Sequence, residues 1–354
     1  MSLQAYGWTP FFARHYESYA PDGLAPGRVV SERRGLYRLH TEAGEVDAVL
    51  SGRLRHFAEG SEDLPAVGDW VVTPPHDGVA VIHAMLPRRS KLSRKVAGTG
   101  AREQLVAANV DVVFLVMGLD GDFNPRRLER LLVMAWDSGA RPVVVLNKAD
   151  VAGDAEARRL ETERSAPGVD VLVVSCVDER GLDAVRAFAG GGVTIALVGS
   201  SGVGKSTLIN RLAGRELMAT GAVRRGDDRG RHTTTHRELV PLPSGGLLID
   251  NPGIRELQLW TTEDGLGQAF EDVEALAARC RFRDCTHHGE PGCAVAAAVE
   301  DDTLAPARLE SFRALERELR FLERRRDERA RRAEQRTVGK LYRAIQSEKK
   351  ARRF

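Results

Sequence analysis

The 354-residue chain lacks a long apolar run, a surplus of charge of one sign, and cysteine in any number. No stretch approaches the ~20 apolar residues of a membrane-spanning helix, so no membrane span is expected. The opening MSLQAYGWTPFFARHYESY has no basic start followed by an apolar core, and the cytoplasm is the expected compartment. Lysine and arginine number 52, aspartate and glutamate 50, for a formal net charge of +2. That near-balance conceals an asymmetry. From Arg308 to Phe354 there are 17 Lys/Arg against 8 Asp/Glu, a net of +9 that leaves −7 for the remainder and suggests a polyanion-facing tail. Of four cysteines, Cys176 stands alone, while Cys280, Cys285 and Cys293 fall within 14 residues together with two histidines. In a cytosolic chain such clustering argues for metal rather than disulfides. The length leaves room for about two or three domains at roughly 100 to 200 residues each, so core size is not limiting.

What is present is organised around Gly199 to Thr207, GSSGVGKST, which fits the phosphate-loop pattern G-x-x-x-x-G-K-[ST]. Gly199 and Gly204 are the fixed glycines. Ser200, Ser201, Gly202 and Val203 lie between them, and Lys205, Ser206 and Thr207 follow. Thr194 to Val198, TIALV, reads as a buried strand before the loop, and Lys205 to Leu212 opens a helix after it. In such a unit backbone N–H groups turn inward around phosphate oxygens, and the helix N-terminus adds partial positive charge. Lys205 then bridges the β- and γ-phosphates and Ser206 ligates Mg2+. A Gly/Ser-rich linker would account for the glycines but not for the lysine, the serine and the flanking strand.

A second motif, Asn147-Lys148-Ala149-Asp150, ends the apolar run Pro142 to Leu146. At the carboxyl end of a parallel strand, N-K-x-D suits guanine. The Asp150 carboxylate accepts from both N1–H and the 2-amino group, and adenine offers neither donor. Asn147 is placed to bond the base and to tie its loop to the phosphate loop, while the Lys148 stem lies against the purine face. Ser175 and Cys176, after the next strand, offer a backbone N–H to guanine O6. Beyond the phosphate loop come Gly230-Arg231-His232-Thr233-Thr234-Thr235 and Asp250-Asn251-Pro252-Gly253. A GTPase needs a switch threonine for Mg2+ there, then a D-x-x-G whose aspartate, Asp250, reaches Mg2+ through water and whose Gly253 N–H senses the γ-phosphate. Thr234 is the chosen Mg2+ ligand, with Thr233 and Thr235 as alternatives. A Ser/Thr-rich surface loop is the competing reading. Ordinary GTPases carry the phosphate loop first, whereas here Asn147 precedes Gly199 by 52 residues. The domain therefore reads as circularly permuted, with its switch segments running straight into the C-terminal region.

Around this centre the chain divides into four stretches. Residues 1–25 form an aromatic, Pro/Gly-punctuated extension. Residues 26–92 carry short β-like runs, among them LYRLH, EVDAVL, DWVVT and VAVIHAM, and suggest a small antiparallel barrel. An OB-like five-stranded barrel suits, although pattern alone does not separate it from an SH3-like one. Arg28, Arg33, Arg34, Arg53 and Arg55 read as its surface decoration, and Arg88, Arg89, Lys91, Arg94 and Lys95 as a basic linker. Residues 93–260 alternate buried strands with helices, the pattern of a parallel sheet covered on both faces; Asn124 and Pro125 cap a helix running through Trp136. Residues 261–354 read as a mostly helical domain stapled by Cys280-x4-Cys285-x-His287-x5-Cys293. Three thiolates and one imidazole are a tetrahedral zinc set with no open position for a catalytic water. His288 competes with His287, and the spacing does not decide between them. From Leu304 the text is helical and increasingly basic, and its arginine excess favours phosphate contacts.

NKAD before GSSGVGKST, then GRHTTT, a D-x-P-G and Cys-x4-Cys-x-His-x5-Cys together resemble the ribosome small subunit-dependent GTPase A family (RsgA, also called YjeQ or EngC). The resemblance runs from about Gly27 to the tail. It implies an N-terminal OB domain, a permuted GTPase domain and a C-terminal zinc domain. It also implies binding to the small ribosomal subunit and its rRNA late in assembly, with GTP hydrolysis stimulated by the subunit; a monomer is expected. The family pattern favours His287 over His288 as the fourth zinc ligand. Asn251 departs from the Thr or Ser of many relatives. One further gap concerns hydrolysis. Where a Ras-like GTPase has a water-orienting glutamine after D-x-x-G, this chain has Ile254, which cannot hydrogen-bond water. The catalytic set is expected to be Lys205, Thr234 and His232, with intrinsic hydrolysis slow until the docked subunit repositions the switch and brings His232 or a ribosomal group to the water; a surface-loop histidine is the competing reading. Two other functions compete with this one: an RNA-binding regulator in which GTP hydrolysis is incidental, and a phosphate-loop kinase, against which NKAD speaks.

Overall fold

The computed structural model describes residues 2–33, 35–58, 60–75, 77–95, 103–218, 237–250 and 263–324. Helix α1 (Pro10–Tyr16) starts on a proline, whose fixed φ suits the first helical position. The segment around it packs against the barrel. Leu3, Tyr6 and Phe12 are buried, and Trp8 meets the Trp70 ring edge-on at 4.7 Å.

The barrel is built from β1 (Ala25–Arg33), β2 (Leu36–Thr41), β3 (Gly44–Leu50), helix α2 (Gly52–Phe57), β4 (Trp70–Thr73), β5 (Ala80–Ile82) and β6 (Ala84–Met85). β1, β2 and β3 form an antiparallel meander. β4 pairs with β1 on one side and β6 on the other. β5 pairs with β3 in parallel, the one departure from the expected antiparallel barrel. Only His83 separates β5 from β6, so this broken strand closes a five-stranded ring. Val29, Leu39, Ala48, Val71 and Ile82 fill its interior with no exposed surface. α2 starts where Ser51 Oγ accepts from the Leu54 N–H at 3.2 Å, a side-chain N-cap.

The basic stretch expected to be a linker is a hairpin. β7 (Lys91–Lys95) pairs antiparallel with β8 (Glu103–Ala108). Just before it, Arg88 forks onto the fully buried Asp69 carboxylate, with both N–O distances 2.8 Å.

Then the period changes. β9 (Val112–Gly118), α3 (Pro125–Asp137), β10 (Arg141–Asn147), α4 (Ala155–Ser165), β11 (Asp170–Val173), α5 (Leu182–Ala187), β12 (Thr194–Val198), α6 (Lys205–Ala213), β13 (Arg237–Pro241) and β14 (Leu247–Asp250) make a doubly covered sheet. Its order is β11-β10-β9-β12-β14, all parallel, with β13 antiparallel beside β14. Alternation along β9 sorts the two faces. Val113, Leu115 and Met117 join a core with α3, whereas Val112, Phe114 and Val116 join one with α5 and α6. α3 is capped as its sequence predicts, Asn124 Oδ1 accepting from the Arg127 N–H.

Sheet and barrel are continuous. β13 pairs with β1 through Ser31 opposite Glu238 and Glu32 opposite Arg237. Arg28, expected on the barrel surface, is 1% exposed. Its guanidinium donates to the Tyr6, Gly68 and Asn109 carbonyls and to Thr194 Oγ1. A buried guanidinium needs such partners, since an unmet donor there costs about 1–3 kcal/mol.

The C-terminal region is helical: α7 (Glu263–Ala269), α8 (Glu271–Ala277), α9 (Ala294–Glu300) and α10, residues 306–324. α7 crosses α3 closely; a Cβ at Gly265 would lie 2.5 Å from the Val133 carbonyl oxygen. Arg308, counted with the basic tail by sequence, is instead buried against Glu129 of α3 and Asp272 of α8. Among the described residues no helix is long and apolar enough to cross a membrane.

Candidate nucleotide site and metal centre

All five parallel strands end on one edge of the sheet, at Gly118, Asn147, Val173, Val198 and Asp250. Crevices outside the carboxyl ends of parallel strands are where such sheets bind ligands. The phosphate-loop sequence occupies the turn between β12 and α6, as its spacing predicts. Its two fixed glycines are demanded by close approach. A Cβ on Gly199 would sit 2.1 Å from the Val116 carbonyl oxygen, and one on Gly204, at φ 95°, would sit 2.2 Å from Asn147 Nδ2. Gly202 is left-handed as well, at φ 83°. Between them Ser201 is exposed, while Val203 is fully buried and anchors the loop in the core. Lys205 Nζ donates to the Gly199 carbonyl at 2.7 Å and to that of Ser200, so the ammonium lies back over the loop. Ser206 and Thr207 begin the first turn of α6, whose N-terminal N–H groups point toward the same edge.

Asn147 links the two motifs. Only 2% exposed, it donates from Nδ2 to the Val203 carbonyl at 2.9 Å, and its Oδ1 accepts from the Cys176 N–H at 3.2 Å. One amide thus ties the ends of β10 and β11 to the phosphate loop. The Cys176 N–H, expected to face guanine O6, is engaged by Asn147 in this structure. Asp150 accepts at Oδ1 from Ser175 Oγ at 2.8 Å, which aims its carboxylate. Lys148 sits in the left-handed region at φ 68°, unusual for a residue with a Cβ, and its Nζ lies 2.6 Å from Asp120 Oδ2. Burial works to raise the Asp120 pKa, but the hydrogen bonds from Lys148 and the Asp122 N–H prevail and hold it below the ordinary carboxylate value. Asp120 belongs to no sequence motif, and only its place two residues past a buried strand hints at a role. Burial, partly opposed by Arg211, pushes the Cys176 thiol up to about 11, so it stays protonated and unreactive at neutral pH.

Asp250 closes β14 at the same edge. His232, Thr233, Thr234, Thr235, Asn251, Gly253 and Ile254 lie outside the described residues, as does the basic stretch 325–354.

The second centre forms where α8 gives way to α9. The Cys280, Cys285, His287 and Cys293 ligand atoms all lie within 4.8 Å of one another. His287 Nδ1 is 3.6 Å from both Cys280 Sγ and Cys293 Sγ, which are 3.9 Å apart. A tetrahedron with ~2.3 Å Zn–S bonds has edges of about 3.8 Å, so donors and spacing fit zinc. His287 lies in the cluster, whereas His288 is exposed, turned to the Thr286 carbonyl at 2.7 Å, and outside it. Arg313 of α10 donates to the His287 carbonyl and ties the centre to the last described helix.

A loop with the N-K-x-D sequence that precedes the phosphate-loop sequence in the chain, both on one sheet edge, defines a circularly permuted P-loop GTPase. A family model described as RsgA GTPase matches residues 85–260. The small ribosomal subunit biogenesis GTPase RsgA of Opitutus terrae is 46% identical over 353 residues, covering 97% of this chain and 96% of its own. Its namesake from Syntrophotalea carbinolica is 46% identical over 321 residues, 88% of each chain. Among solved structures, YjeQ from Thermotoga maritima aligns with a TM-score of 0.65 and 26% identity, over 84% of this chain and 98% of that one. YloQ, described as a circularly permuted GTPase, gives 0.63 and 25%, over 84% and 95%. The chain belongs to the RsgA GTPase family.

Proposed function

We propose that this chain hydrolyses GTP to GDP and phosphate as an assembly factor in late maturation of the small ribosomal subunit, and that the subunit stimulates the reaction. The Asn147 bridge carries the reading, because it makes the guanine loop and the phosphate loop one unit. The names of the relatives, as small-subunit biogenesis GTPases, supply the partner.

In this reading Asp150 accepts from guanine N1–H and the 2-amino group, Asn147 and the Ser175–Cys176 turn border the base, and the Lys148 stem lies along its face. Residues Gly199 to Thr207 hold the phosphates. Lys205 leaves its loop carbonyls for the β- and γ-phosphates, a modest change because its Nζ already lies over the loop. Ser206, Thr234 and Asp250 would hold Mg2+, which would supply positive charge for the γ-phosphate. Gly253 senses that phosphate. With Ile254 unable to orient water, His232 or a group of the docked subunit does so. One zinc on Cys280, Cys285, His287 and Cys293 is structural, since four protein ligands leave no position for substrate. The working division is an extension at 1–25, an OB-like barrel at 26–92, the GTPase domain at 93–260 and the zinc domain at 261–354. Barrel and basic tail contact rRNA, and the protein acts as a cytoplasmic monomer.

Phosphate release from GTP, measured with and without purified small subunits, tests the proposal. Stimulation is expected. Absent stimulation, together with subunit binding that ignores the nucleotide, would favour a regulator in which hydrolysis is incidental. Asp150→Asn should shift preference from GTP toward xanthosine triphosphate, whose 2-oxo group accepts where guanine donates.

A further inference from the structure

Lys148 is the one member of the guanine loop whose position the motif itself does not explain. A lysine stem is flexible, with four carbons free to rotate, and Lys148 projects from a left-handed backbone at φ 68°. Something must hold the stem if it is to form a wall. The holder is on the neighbouring strand's extension: Asp120 Oδ2 lies 2.6 Å from Lys148 Nζ.

Asp120 is itself held from several directions. Its Oδ1 accepts from the Asp122 N–H at 3.1 Å, closing a tight turn directly after β9. Its carbonyl accepts from Arg158 Nη1 at 3.2 Å, and the Arg158 guanidinium lies 5.3 Å over the Phe123 ring. The strand makes room for it, since a Cβ on Gly118 would come within 2.5 Å of Asp120 Oδ1. The same absent side chain leaves 3.6 Å to Lys148 Cδ, so Gly118 borders the lysine stem as well as the carboxylate. Both charges remain about one-third exposed, so the pair is desolvated at little cost and its hydrogen bond is charge-assisted.

We infer that Asp120 is a positioning residue for the base: its carboxylate fixes the Lys148 ammonium and thereby sets the Lys148 stem as one wall of the purine slot. The inference rests on the guanine reading above. Asp120 touches no nucleotide; it acts through Lys148. The anchor matters because a wall with free rotors must be ordered anew at each binding event, and ordering a rotor-rich side chain weakens binding.

The test is a cycle of three variants in the full-length chain, read by titration of a fluorescent GDP. Asp120→Asn keeps the Oδ1 acceptor that closes the turn and removes the charge. Lys148→Met keeps an apolar stem and removes the ammonium. Each single variant is expected to weaken GDP about fivefold, the scale of a partly exposed charged pair, and the double variant is expected to be no weaker than either single. KM for GTP should rise with D120N by a similar factor while kcat changes less than twofold. GDP binding as tight as wild type in either single variant overturns the inference. So does a double variant whose losses multiply to about 25-fold, because independent effects mean that Asp120 does not act through Lys148. A wild-type chain that binds ADP as tightly as GDP overturns the guanine reading and this inference together, before any variant is compared.

Discussion

Arg28 fastens the GTPase domain to the barrel, Arg308 fastens it to the C-terminal helices, and the two buried cations are satisfied by opposite means. Arg28 has four neutral partners, three backbone carbonyls and the Thr194 hydroxyl. Burial pushes its pKa down to about 10, with the Asp111 and Asp69 carboxylates at longer range pulling the other way. Arg308 has carboxylates, Glu129 Oε1 and Asp272 Oδ1 each at 2.8 Å, as well as the Ala269 and Ser165 carbonyls. Burial disfavours its charge too, but the hydrogen bonds to Asp272 and Glu129 outweigh it and raise the pKa. The Phe270 ring, 4.0 Å away, adds a cation–π contact. A cage of carbonyls depends on three chain segments keeping their backbone shape. An ion pair depends on charge balance, and it fails abruptly when one partner is lost.

That contrast can be broken from either side. Arg308→Ala strands Glu129, which is 4% exposed, as an unpaired buried charge. The cost should be about 3–5 kcal/mol, seen as a lower unfolding midpoint and as new proteolytic cleavage between α10 and the sheet. Adding Glu129→Leu should recover much of the loss, because both charges are then gone. Arg28→Lys keeps a charge but cannot fork to several acceptors. It should cost about 2 kcal/mol, and hydrogen exchange should rise at β1 and at the first 16 residues while α10 stays protected. The smallest effect belongs to Arg126, whose partner Glu310 spans the same α3–α10 joint as Arg308 but with both side chains about two-thirds exposed. Arg126→Ala should change stability by less than about 0.5 kcal/mol, and a larger loss in calorimetry would mean that the joint is held by its surface rather than by its buried arginine.

Much of this was legible in the sequence where the signal is local. TIALV before GSSGVGKST, RPVVVLN before NKAD, and Asn124-Pro125 before an amphipathic run each carry their own turn and period, and strands and helices fall where these predict. The Cys/His cluster was legible because its four residues lie within 14 positions. What sequence could not reveal is burial bought by distant partners. Arg28 looks like surface decoration since the groups that satisfy it lie 22, 40, 81 and 166 residues away. Arg88 reads as linker because its carboxylate, Asp69, is 19 residues upstream. The choice between His287 and His288 needed the backbone as well: His287 adopts φ 60°, which swings its ring to Cys280 and Cys293 and leaves His288 pointing away. Asp120 was missed for the same reason, its lysine lying 28 residues on.

The short ladder between β1 and β13 has a consequence for how these two parts can move. Side chains alternate along a strand, so sliding one strand past the other by a single residue would exchange the faces of the paired residues. Displacement must therefore come in two-residue steps of about 6.6 Å, or by letting go altogether. The ladder itself is short, with Ser31–Glu238 and Glu32–Arg237 in register, and the Arg28 bonds to Asn109 and Thr194 hold the same two parts beside it. The joint has the mechanics of a latch with two catches, the ladder and the Arg28 cage, and both must open before barrel and sheet can part.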